Sequence, residues 1–160
     1  MELEKQIDIA ANLIKEGKVV AFPTDTVYGL GANGLDPVAV ARIYEIKERP
    51  SFNPLILHIA AIECLKELIL TSDARVYALA EKFWPGPLTI LLPKSKLVPD
   101  IVTAGLPNVG IRMPNHKVAL ELIRRAGCPI AAPSANKFGK LSPTSALHVR
   151  KQLPNLGLIS

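Results

Sequence analysis

The stretch KVVAFPTDTVYGL, residues 18–30, decides how the rest of the chain is read. Lys18 to Phe22 is a short apolar run that reads as a buried strand. Pro23 ends it. Thr24, Asp25, Thr26 and Tyr28 then crowd hydroxyls and a carboxylate in before Gly29, more than a plain turn needs. In α/β proteins, loops at strand ends converge to make ligand sites. The loop is therefore a candidate wall of a site if the flanking chain alternates strands with helices.

It does. Upstream, residues 4–16 place Ile7, Ala10, Ala11 and Ile14 on one helical face, with Gly17 as the stop. Downstream, Asp36-Pro37 reads as an N-cap followed by proline at the first helical position, opening a helix to about Lys47. Pro54 to Ile59 predicts a strand and residues 61–69 a short helix. Asp73 caps a helix to Phe83, stopped by WPGP at 84–87. Leu88–Leu92 and Val109–Met113 predict strands, residues 115–126 a helix ended by Gly127, and Pro129–Ala132 a strand. Thr144–Leu153 predicts a last helix. The alternation gives an α/β class. No repeat or linker divides the chain, so residues 1–160 are expected to form one domain.

Composition agrees with a packed core: 49% of the 160 residues are hydrophobic and only 5% aromatic, so aliphatic side chains must fill it. Cys64 and Cys128 lie far apart and outside any C-x-x-C pair, and are expected to be buried thiols in a reducing compartment. No apolar run reaches membrane-spanning length, and the charged start MELEKQID is no secretory signal. A soluble cytoplasmic protein is expected. Charge is uneven: residues 1–111 carry 11 basic and 13 acidic side chains, residues 112–160 eight basic ones and Glu121. That asymmetry fits either an anionic partner, such as a nucleotide or RNA, or a solvated basic face.

Four polar clusters border predicted strands: the 24–28 loop, KERPSFN (47–53), NVGIR (108–112) and PSANKFGKLSPT (133–144). Lys47 and Arg49 can flank one polyanion in an extended turn, or simply complement a helix C-terminus. Arg112 interrupts an apolar pattern, so if buried it needs a carboxylate, from a ligand or from the protein. His58, alone in PLILHI, fits a core histidine better than a ligand group. Ser134, Asn136, Ser142 and Thr144 offer hydrogen-bonding groups for a nucleotide, or turn and cap chemistry. There is no G-x-x-x-x-G-K-[ST], no G-x-G-x-x-G and no G-x-S-x-G, and the three histidines lack metal-ligand spacing.

In this order, PTDTVYGLGAN (23–33), IYEIKERPSFNPLILHI (43–59), FWPGPLTILL (83–92), VGIRMPNH (109–116) and APSANKFGKLSPT (132–144) resemble the YrdC-type family of threonylcarbamoyl-adenylate synthases. The resemblance runs over nearly the whole chain. It implies a twisted, mixed open α/β sheet flanked by helices, with a concave basic face. It also implies synthesis of threonylcarbamoyl-AMP and pyrophosphate from L-threonine, bicarbonate and ATP with Mg2+, for the N6-threonylcarbamoyladenosine at position 37 of tRNA, completed by a partner transferase. Carried onto this chain, Thr26, His58, Arg112 and Ser134 are the threonine contacts. Lys47, Arg49, Asn53, Asn108, Asn136 and Thr144 are the ATP contacts, with Lys47 and Arg49 neutralising the leaving pyrophosphate. The family pattern continues into a Glu-Ser-Thr-Ile strand and an Ile-Leu-Arg-Pro-Gly segment. This chain ends at LPNLGLIS, so the domain is expected to be short at its C-terminal end. Lys137-Phe138 also replaces the usual small or hydroxyl residues.

Two other functions compete. An RNA-binding module would use the basic face without turnover, on tRNA or double-stranded RNA, and would not require Thr26, His58 and Arg112. The related domain of hydrogenase-maturation carbamoyltransferases belongs to much longer proteins with zinc-finger and acylphosphatase-like parts.

Overall fold

A computed structural model of the chain describes residues 2–48 and 53–133, together with the backbone of Gly157 and Leu158. The described strands are β1 (Val20–Phe22), β2 (Gly29–Asn33), β3 (Ile56–His58), β4 (Ile90–Pro93), β5 (Asn108–Arg112), β6 (Ile130–Ala132) and β7 (Gly157–Leu158). They form one mixed sheet in the order β4-β5-β3-β6-β2-β1-β7. β3 runs parallel to β5 and β7 parallel to β1; the remaining neighbours are antiparallel. The helices are α1 (Leu3–Lys15), α2 (Pro37–Lys47), α3 (Leu65–Leu68, entered through a 3-10 turn at Ile62–Cys64), α4 (Ala74–Phe83) and α5 (Lys117–Ala126).

The helices sit where their punctuation puts them. Ile7, Ala10, Ala11 and Ile14 are the buried stripe of α1. The Asp36 carboxylate accepts from the Val38 and Ala39 amides at the start of α2, and Asp73 accepts from the Arg75 amide at the start of α4. Gly127 closes α5 in the left-handed region at φ 72°, a conformation that costs glycine least. The α5 N-cap is His116, whose Nδ1 accepts from the Val118 amide at 3.2 Å.

β2 is an element that its own sequence conceals. GLGAN carries two glycines, ordinarily a sign against a strand interior. Here they make room for Phe22. A Cβ on Gly31 would lie 2.6 Å from the Phe22 ring and 2.6 Å from Ile130 Cγ2. PTDTVY is therefore the connection of the antiparallel β1–β2 pair, Phe22 facing Gly29 across it, and not merely a strand end. The predicted helix at 144–153 lies outside the described residues.

Alternation along the strands makes two faces. Leu30, Ala32, Leu57, Val109, Ile111 and Ala131 face one core, which includes α2 residues Ala39, Val40, Ile43 and Tyr44. On the other face, Val20, Phe22, Ile130 and Ala132 pack under α1 and α5. Arg125 ties those two helices together through Glu4, Asp8 and Glu121. Past these helices the second face opens toward β4. Leu91 is 66% exposed and Ile56 is half-buried. Among the described residues no helix is long and apolar enough to cross a membrane.

The thiols differ from expectation. Cys64 is exposed at the entry to α3 and Cys128 is half-buried after α5, because both stand on connections and not on buried faces. Burial pushes the Cys128 thiol up to about 11.

Candidate functional site

Arg112 ends β5 with only 7% of its surface exposed. A guanidinium so placed needs partners on each edge, and it has them. Nε donates to the Gly86 carbonyl at 3.0 Å, one terminal nitrogen donates to Thr26 Oγ1 at 3.2 Å, and the other is paired with Asp25 Oδ1. Burial works against its charge, and the Asp25 carboxylate compensates. Of the two partners open to Arg112, a ligand or an internal acid, the structure shows the internal one. Asp25 was given no contact by its sequence. The available signal was its place as the one acid of the loop that also carries Thr26.

The loop that brings these groups to Arg112 is built locally. Thr24 Oγ1 donates to the Val27 carbonyl at 2.5 Å and accepts from the Thr26 amide at 3.2 Å, the side-chain turn typical of threonine. Tyr28 is 8% exposed and belongs to the core. The crowded hydroxyls thus divide their work: Thr24 shapes the loop, while Asp25 and Thr26 reach the guanidinium. From the opposite side, the WPGP turn is fastened to β5 by the Gly86 amide, which donates to the Met113 carbonyl at 2.8 Å. A Cβ on Gly86 would fall 2.6 Å from the Phe83 carbonyl oxygen, so only glycine leaves this turn undisturbed.

His58 lies beside Arg112 in register on the parallel neighbour and is 5% exposed. Its Nδ1 is 3.2 Å from the Ile130 carbonyl, and its ring meets Phe22 edge-on, centroids 6.3 Å apart. Desolvation dominates over its backbone hydrogen bonds and lowers its pKa to about 4. The ring is neutral at ordinary pH. Since a carbonyl only accepts, Nδ1 carries the proton and Nε2 is left as an acceptor.

Of the residues expected on the ATP side, Asn108, Asn53 and Lys47 are described. Asn108 is exposed at the start of β5, four residues and roughly 13 Å of extended chain from Arg112. Gly110 lies between them on the same face. Beside it an open trough of about 410 Å³ is lined by Pro54, Ile56, Thr89, Leu91, Asn108 and Gly110 among others. Asn53 leads into β3 at this end, its carbonyl accepting from Tyr44 Oη at 2.7 Å. Lys47 is the last residue of α2, not part of an extended turn, and is 1% exposed. A solvated pair at the helix end is therefore not what Lys47 forms. Glu48, which follows it, is left-handed at φ 55°. Arg49, Ser134, Asn136 and Thr144 lie outside the described residues, as do Lys137, Lys140 and Ser142.

The uneven charge also takes a physical form. Arg112 pairs with Asp25, and Arg125 with Glu4 and Asp8, all three acids from the acidic part of the chain. Arg124 and Arg125 both engage Glu121. Among the described residues, much of the basic excess after residue 111 is thus neutralised within the fold, and the charge asymmetry there does not call for an outside polyanion.

Comparison with known proteins places the chain in a family. The family model for Sua5, YciO and YrdC proteins, described as "Telomere recombination", matches residues 12–158. The threonylcarbamoyl-AMP synthase of Pyrococcus abyssi is 59% identical over 146 residues, spanning 91% of this chain and 43% of that protein. That of Bacillus subtilis is 55% identical over 151 residues, spanning 94% of this chain and 44% of that protein. The crystal structure of P. abyssi Sua5 complexed with L-threonine superposes with a TM-score of 0.91 at 57% identity, over 95% of this chain and 44% of that one. The chain spans less than half the length of these relatives.

Proposed function

The chain belongs to the Sua5/YciO/YrdC family, and on that footing we propose that it is an L-threonylcarbamoyladenylate synthase. In this reading L-threonine, bicarbonate and ATP give threonylcarbamoyl-AMP and pyrophosphate, the adenylate passes to a transferase acting on position 37 of tRNA, and the work is cytoplasmic. The observation that carries the reading is the buried Arg112, braced by Gly86 and Thr26 and in register with the neutral His58. The remaining terminal nitrogen of Arg112 is held by the Asp25 carboxylate, and a guanidinium fixed by neutral groups on its other edges suits a small ligand carboxylate in that place. The related P. abyssi protein has been seen complexed with L-threonine.

Threonine would lay its carboxylate on Arg112, with Thr26, His58 and Ser134 around it. ATP would lie along the trough beside Gly110, toward Asn108 and Asn53, with Asn136 and Thr144 completing its contacts. Lys47 and Arg49 would meet the triphosphate and stabilise the charge gathered on departing pyrophosphate. Catalysis of this kind rests on positioning and electrostatics. Among the described residues no three carboxylate, imidazole or thiol groups gather to hold a metal. Magnesium would arrive with the substrate, carried on the ATP phosphates.

The test is pyrophosphate release from MgATP and bicarbonate by the 160-residue chain, with and without L-threonine. Threonine-dependent release supports the synthase. Absence of release, together with RNA binding that weakens steeply with salt, would support the RNA-binding module in its place.

A further inference from the structure

Resting on the threonine reading of the site, we propose that Arg112 and Asp25 form a zwitterion-binding dyad. The pair opens to admit an α-amino acid, Arg112 taking the carboxylate and Asp25 taking the ammonium. Asp25 thereby determines specificity for amino acids over other small acids.

The dyad follows from the charges at the site. Arg112 and Asp25 are both largely enclosed, their side chains 8% and 15% exposed. Among the described residues the other oxygens on Arg112 are neutral, the Thr26 hydroxyl and the Gly86 carbonyl. His58 beside it is uncharged at ordinary pH. Among the described residues the site therefore balances one positive against one negative group. A zwitterion brings one of each, and its entry exchanges one internal ion pair for two external ones without leaving a buried charge alone. A plain carboxylate would place its charge against Asp25. A plain amine would place its charge against Arg112.

The loop makes the exchange feasible. Asp25 is an exposed residue by its backbone, yet its carboxylate turns inward. It stands on the β1–β2 connection, held locally by the Thr24 turn. Swinging the carboxylate from the guanidinium to an adjacent ammonium disturbs this loop and no helix. The α-ammonium and carboxylate of an amino acid are neighbours on one carbon, so a short displacement of Asp25 suffices.

Calorimetry with three ligands tests the dyad: L-threonine, 2,3-dihydroxybutyrate (a hydroxyl in place of the ammonium) and threoninol (no carboxylate). Unaltered chain, Asp25→Asn and Asp25→Glu are compared. Threonine should bind the unaltered chain best, and Asp25→Asn should weaken it by about tenfold or more, while 2,3-dihydroxybutyrate binds Asp25→Asn at least as well as it binds the unaltered chain. Asp25→Glu should restore part of the threonine affinity. Unchanged or tighter threonine binding to Asp25→Asn would overturn the dyad, making Asp25 only a plug. Equal losses for threonine and 2,3-dihydroxybutyrate would overturn it too, making Asp25 only a brace for Arg112. If Asp25→Asn fails to fold, 2,3-dihydroxybutyrate binding the unaltered chain as tightly as threonine is the overturning result. Failure of the unaltered chain to bind threonine at all would overturn the threonine reading itself, and is distinct from every outcome above.

Discussion

His58 and Arg112 face each other across the parallel pairing of β3 with β5, so a neutral imidazole and a guanidinium share one face at one end of the sheet. A protonated His58 would sit buried beside a fixed positive charge. Burial holds the ring neutral against the pull of its backbone hydrogen bonds, and a pH dependence follows. The folded pKa is about 4 against an ordinary 6.5, so between these values the unfolded chain binds the additional proton. Stability is full above pH 6.5 and falls as pH drops toward 4, by up to about 3 kcal/mol. Urea unfolding between pH 4 and 7 should show this loss, and His58→Gln should remove most of the slope in that window.

Arg112→Met is expected to abolish measurable threonine binding. It also leaves Asp25 without its partner, which should cost about 1–3 kcal/mol of stability, less if the loop turns Asp25 out to water. Calorimetry and thermal melting read the two effects separately. Threonine binding at the unaltered affinity would remove Arg112 from the site.

Lys47→Met keeps the bulk of a side chain that is 1% exposed while deleting its charge. It and Arg49→Ala should raise the KM for ATP in pyrophosphate release by about tenfold or more and change threonine affinity little. Unchanged nucleotide dependence in both variants would dismiss them as phosphate contacts.

Two glycines should answer differently to alanine. At Gly31 the new Cβ would lie 2.6 Å from both Phe22 and Ile130, an overpacking expected to cost about 1–3 kcal/mol. At Gly110 it would meet Thr89 Cγ2 at 3.1 Å and Ile56 Cγ1 at 3.7 Å, where an exposed threonine can give way. Gly110→Ala should therefore melt close to the parent but bind ATP more weakly, because its methyl enters the trough beside Asn108. Equal melting losses in both variants would contradict this placement.

The cysteines provide a check on burial. Cys64 is exposed, whereas burial holds the Cys128 thiol near 11. Alkylation at neutral pH should label Cys64 first, since the thiolate is the reactive form. Peptide mapping over time would reveal the order.

By itself the sequence determined the described helices and most of the described strands. The periodic stripe of Ile7, Ala10, Ala11 and Ile14, the caps Asp36 and Asp73, and the stops Gly17 and Gly127 act within a few residues, and local physics fixes them. It also singled out Arg112, because a guanidinium in an apolar run requires a partner wherever it is buried. Only the tertiary structure decided what that partner is. Asp25 lies 87 positions from Arg112 in the chain, and no periodicity links a loop residue to a strand end so far away. Nor could local rules find β2, whose glycines break strand propensity and are needed only because Phe22 and Ile130 crowd against them. The same holds for charge. A basic C-terminal stretch calls for an anion in one dimension, while in three dimensions, among the described residues, Asp25 supplies it to Arg112, and Glu4 and Asp8 supply it to Arg125.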